Sequence, residues 1–110
     1  MINIEMLEEM FDGDKEFISV LFGQYLQDNI DIKEKIQSQF DANQLSDLFH
    51  TAHTLAGALS NICETDIVPV IKKIELSCKE NKKPSADDIE LTKVSLIAIF
   101  KQMQEYLKTI

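Results

Sequence analysis

The sequence predicts an all-α protein: an antiparallel, up-down four-helix bundle with a short additional N-terminal helix, residues 1–110 forming one domain. Three observations carry this. Apolar residues recur at three-four spacing along most of the chain, the period of helices that bury one face. Only three Gly and two Pro occur in 110 residues, too few turn signals for an all-β fold. The stretches between periodic segments are short, which makes successive helices antiparallel neighbours. With 45% hydrophobic residues the chain can bury a core without metal or disulfide staples.

Each element has a local reason. Asn3 is placed to cap a first short helix that runs through Met10, with Glu5 favourable in its first turn. In Asp12-Gly13-Asp14, Gly13 suits the left-handed position after a helix and Asp14 suits the cap of the next. That second helix is expected to continue to about Phe40, with Phe17 or Ile18, Leu21 or Phe22, Tyr25, Ile32 and Ile36 inward. Asp41 to Gln44 is a short connection, and the third long segment follows to about Asn61. Thr65 is expected to cap the next helix, placing Pro69 in its first turn, where a missing N–H is tolerated. Ile67, Val70 or Ile71, Ile74 and Cys78 form its buried face. Lys79 to Pro84 reads as a polar turn, and Ser85 with Asp88 as a capping box. The last helix turns Ile89, Leu96, Phe100, Met103 and Leu107 inward.

Composition excludes several function classes. A net charge of −8 argues against nucleic acid and anionic membranes as partners. No apolar run approaches the ~20 residues needed to span a bilayer. The opening Met-Ile-Asn-Ile-Glu lacks the basic start and apolar core of a signal peptide. Two cysteines are too few for a secreted disulfide scaffold. The expectation is a cytoplasmic monomer with reduced thiols, and the full helical complement with its starting Met favours a stand-alone protein.

The segment between Asp47 and Glu64 stands apart. The protein is 27% charged, yet this window holds no Asp, Glu, Lys or Arg, and it contains both histidines of the chain. Leu45, Leu48, Ala52, Leu55, Leu59 and Ile62 form one apolar stripe. His53 points roughly 130° from the centre of that stripe. Ala56, Gly57 and Ser60 are its neighbours one and two turns onward, too small to hide it. Gly57 in mid-helix costs about 1 kcal/mol relative to Ala, a cost that usually has a packing or functional reason. An anion carried on the imidazole would meet no carboxylate on the same turn.

Ala52-His53-Thr54-Leu55-Ala56-Gly57-Ala58, followed by Asn61-Ile62, resembles the signature of histidine-containing phosphotransfer (HPt) domains. Leu7 to Asp14, Phe17 and Ile74-Glu75 are also similar to the family in type and spacing, so the resemblance extends over nearly the whole chain. It implies a four-helix phosphorelay intermediate in which His53 is the phosphoacceptor and Gly57 opens the site. It also implies that Glu75 reaches the imidazole from the adjacent helix, fixing the tautomer and leaving the other nitrogen free to attack phosphorus. Two positions depart from the pattern. Ala56 stands where most members carry a lysine beside the phosphoryl group, and Cys63 where they carry a second glycine.

Other side chains are weighed beside His53. His50 precedes it by three residues, so His-x-x-His is half a metal site, but Cys63 lies about 15 Å from His53 along the axis and no acidic third ligand occurs in the window. Cys78 on the neighbouring helix stays open as a further ligand, but without an acidic third ligand no metal site is expected. His50 reads as partner-facing or merely exposed, and Phe49 as half-buried at the edge of a docking patch. Lys72 and Lys73 are the nearest replacements for the absent lysine, although each is more often a solvated charge. The expected function is to accept a phosphoryl group on His53 from a receiver-domain aspartate, or from a histidine kinase pathway, and to pass it to a response regulator. Hybrid histidine kinases and response regulators supply the receivers, and Mg²⁺ belongs to them rather than to this chain. One alternative is a degenerate adaptor that docks a receiver with weak or no transfer. Another is an unrelated helical adaptor using the small-residue face. An enzyme is disfavoured, since one imidazole without a base or phosphate loop makes no active site.

Overall fold

Six helices account for most of the computed structural model, which describes residues 1–110: α1 (Ile4–Met10), α2 (Lys15–Asp28), α3 (Ile32–Asp41), α4 (Leu45–Ser60), α5 (Val68–Lys79) and α6 (Ala86–Leu107). They pack as a helical bundle measuring 42 × 21 × 19 Å. The only β pairing is an isolated bridge between Ile2 and Glu64. α4 and α5 lie along one another, while α6, about 33 Å long, backs α2, α3 and α5.

Three caps form as the sequence predicts. Asn3 Oδ1 accepts from the Met6 N–H at 3.0 Å, Asp14 Oδ1 from Phe17 at 3.0 Å, and Ser85 Oγ from Asp88 at 3.1 Å. The capping box is half-made, because the Asp88 carboxylate turns to Lys73 Nζ at 3.4 Å. Gly13 adopts φ +74° and Asp12 also enters the left-handed region at +53°.

Two expectations need correction. The helix predicted to reach Phe40 is broken at Asn29–Asp31 into α2 and α3. Both the backbone N–H and the side-chain amide of Asn29 donate to the Tyr25 carbonyl, at 3.0 and 2.9 Å. An Asn side chain that satisfies the last turn in this way competes with helix continuation. The second correction concerns the start of α5, where Thr65 makes no cap. Glu64 does instead: its Oε1 accepts from Ile67 at 2.7 Å and Val68 at 3.3 Å, and its Oε2 from the Met1 ammonium at 2.7 Å. A 1% exposed carboxylate is tolerated there because its oxygens are occupied by donors. Pro69 falls in the first turn of α5, as expected.

The core follows the predicted stripes and resolves their ambiguities. Ile18, Phe22 and Tyr25 are inward on α2, leaving Phe17 exposed. Ile71 rather than Val70 is buried on α5; on α6 Leu96 and Met103 are buried as predicted, but Ile99 takes the inward place expected of Phe100, which is only half-buried. Leu48, Ala52, Leu55 and Leu59 fill the inner face of α4. Burial raises the Tyr25 phenol above its ordinary pKa, assisted by the negative charge of Glu64.

Candidate functional site

Helix α4 holds His53 rigidly while leaving its ring accessible. The side chain retains 68% of its exposure, because the inner stripe of α4 takes the opposite face into the core. Glu75, on the adjoining face of α5, brings Oε2 to 3.2 Å from His53 Nδ1. An ionised carboxylate only accepts, so the bonded nitrogen is the donor and the lone pair of the neutral ring resides on Nε2. The Phe49 ring, one turn earlier, lies nearly parallel to the imidazole, with centroids 6.0 Å apart and planes inclined by 12°. The ring is thus held at one edge by Glu75 and on one face by Phe49.

The surrounding surface is a shallow depression between α4 and α5. His53, Ala56, Gly57, Ser60 and Asn61 line one side, with Lys72, Glu75, Leu76 and Lys79 on the other. Gly57 and Ser60 are exposed as expected, and a Cβ built at Gly57 meets nothing within 4 Å. No steric need within the fold therefore requires glycine at this position. What its missing side chain leaves is open surface beside the imidazole.

The structure changes the place of three residues. Ala56, expected on the exposed face, is 2% exposed and belongs to the core, although its edge touches the depression. It lies about 70° from the centre of the inner stripe, where the close approach of α5 decides burial. Lys73 is drawn away to Asp88, while Lys72 lines the depression. Lys79, read as part of a turn, is the last residue of α5 and lines it too. A signal for Lys79 was present: Lys72, Glu75, Leu76 and Lys79 follow the helical three-four-seven spacing of one face.

His50 is exposed but opens onto a different depression, lined by Asp28, Asn29, Asp31, Lys35 and Thr54 among others. It meets Phe49 edge-on at 5.3 Å and has no carboxylate partner. No cluster of three or more His, Cys, Asp or Glu side chains is arranged to hold a metal ion. A depression of about 940 Å³ between α3 and α6 contains neither histidine. Cys63 has φ +64°, the left-handed region that favours glycine, which accounts physically for a glycine-type position just beyond α4.

The family model of the Hpt domain matches residues 20–110. The chain belongs to the Hpt domain family. No curated protein and no solved structure matches it. Hpt domains have a phosphotransfer role in two-component signalling, as phosphocarrier modules that work with histidine kinases and the receiver domains of response regulators. The match covers α3 to α6 entire and most of α2, so the depression between α4 and α5 lies wholly inside the Hpt region. No helix of this Hpt domain is long and apolar enough to cross a membrane.

Proposed function

We propose that this Hpt domain is a phosphorelay intermediate, taking a phosphoryl group from a receiver-domain aspartate onto His53 Nε2 and giving it to the receiver of a response regulator. The observation that carries the reading is the exposed imidazole tethered through Nδ1 to Glu75 at 3.2 Å. With the Nδ1 proton shared with Glu75, Nε2 attacks phosphorus unprotonated. The P–Nε2 bond forms as the P–O bond to the receiver aspartate breaks, and that aspartate leaves as a carboxylate. No proton need move during the step, and the positive charge arising on the ring faces the Glu75 carboxylate. Transfer onward is the reverse step with a second receiver. The acidic cluster and Mg²⁺ that stabilise the moving phosphoryl group are the receiver's, so this chain acts as a carrier and not as an enzyme. A monomeric cytoplasmic carrier whose single domain spans 1–110, with Gly57, Ser60, Phe49, His50 and the edge of Ala56 in the docking face, fits this role.

The test is incubation with a phosphorylated receiver carrying labelled phosphate. Acid-labile, base-stable label should appear on wild type and on His50→Gln and be absent from His53→Gln. Label lost from His50→Gln but kept in His53→Gln would overturn the assignment. Stable receiver binding without any label on wild type would support the adaptor reading instead.

A further inference from the structure

We infer that Lys72 and Lys79, both from α5, form the cationic seat for a phosphoryl group carried on His53. The inference deepens the phosphorelay reading of His53 and rests on it. Three observations on the structure converge. First, these are the two lysines that line the depression, one turn to either side of Glu75 on the same face of α5. They stand about 10 Å apart along the axis, and their flexible stems can converge over the imidazole between them. Second, neither is engaged by a carboxylate, whereas Lys73 between them is held by Asp88 at 3.4 Å. Third, Glu75, the one carboxylate lining the depression, is occupied by His53 Nδ1. In a chain of net charge −8, two unpaired ammonium groups beside an accessible nucleophile make a locally positive surface.

Helix α4 has no cation to offer at this site. Its segment from Leu48 to Ser60 is uncharged, and Ala56, one turn after His53, is buried. A phosphoryl group on Nε2 brings close to two negative charges near pH 7. Charge compensation from within this chain must then come across the groove from α5. The lysines would favour the fully ionised phosphoryl and lower its second pKa.

The protein phosphorylated with phosphoramidate, a small donor that needs no partner, is titrated by ³¹P NMR, using the resonance that His53→Gln eliminates. Lys72→Met and Lys79→Met keep the apolar stems and remove the charges, and far-UV circular dichroism checks the fold. The double variant should raise the second pKa of the phosphoryl by about half a pH unit, as expected for two exposed ion pairs. Each single variant should give part of that shift, and high salt should shrink it. Lys73→Met should leave the titration where it is. An unmoved titration in the double variant overturns the inference while leaving phosphorylation of His53 intact. A shift as large in Lys73→Met would overturn it too, since net charge alone would then suffice. If no resonance depends on His53, the phosphorelay reading falls and this inference falls with it.

Discussion

The two histidines of this chain sit one turn apart on the same helix, both exposed, and have little else in common. His53 has a carboxylate on Nδ1, an aromatic ring parallel to its plane, an unobstructed glycine one turn on and free lysines across the groove. His50 touches the edge of Phe49 and opens toward the break between α2 and α3. Primary structure places both imidazoles on a surface; only the packing of α5 against α4 gives one of them a carboxylate on Nδ1 and with it a defined tautomer. The difference between the two therefore lies partly within α4, through Phe49 and Gly57, and partly in tertiary structure, through Glu75 and the lysines of α5.

The comparison can be broken most severely at Gly57. Gly57→Leu should keep the helical spectrum yet lower the rate of transfer from a phosphorylated receiver by about a hundredfold or more, since a branched side chain now stands where the partner must approach. Gly57→Ala should be neutral or more stable by up to about 1 kcal/mol, because its Cβ meets nothing within 4 Å. Wild-type transfer by the leucine variant would show that access to His53 is no different from access to His50.

A stability measurement comes next. Ala56→Lys should destabilise the fold by about 1–3 kcal/mol in chemical denaturation, because a long charged side chain replaces a buried methyl group. An unchanged midpoint would mean that the lysine escapes to the groove and that α4 can supply a cation after all.

Glu75→Ala should slow transfer roughly three- to tenfold, the loss expected for one partly solvated, charge-assisted hydrogen bond. The same variant should make the ¹⁵N spectrum of the His53 ring resemble that of His50, with both tautomers populated. A retained single tautomer would place its origin elsewhere. The smallest effect is expected at Phe49, where substitution by Leu should move the His53 ring-proton resonances and change transfer by no more than about twofold.

Much of this was legible in the sequence because it is local. The caps at Asn3, Asp14 and Ser85 depend on residues three apart, and the inner stripe of α4 on helical periodicity alone. Where the reading missed, a distant partner or a competing side chain decided the outcome. The Asn29 amide ends α2 where apolar spacing would continue it. Glu64 displaces Thr65 as the cap of α5, and a buried carboxylate in that role also meets an ammonium 63 residues away. Ala56 lies at the margin of its stripe, where a helical wheel is ambiguous and the neighbouring helix settles the matter. Lys72 and Lys79 could be grouped with Glu75 by spacing, but Lys73 could be set aside only by seeing Asp88.

Burial of both cysteines has a practical consequence for watching this surface at work. Cys63 is 6% exposed, and burial pushes the Cys78 thiol above its ordinary pKa, so the thiolate that alkylating reagents attack is scarce there. The exterior of the folded chain accordingly carries no exposed thiol. A single Glu80→Cys substitution would put one accessible thiol at the end of α5, just outside the groove, where a maleimide dye would attach with little background. Fluorescence from that dye would follow a receiver's arrival and departure in real time, separating the lifetime of the encounter from the chemistry that happens within it.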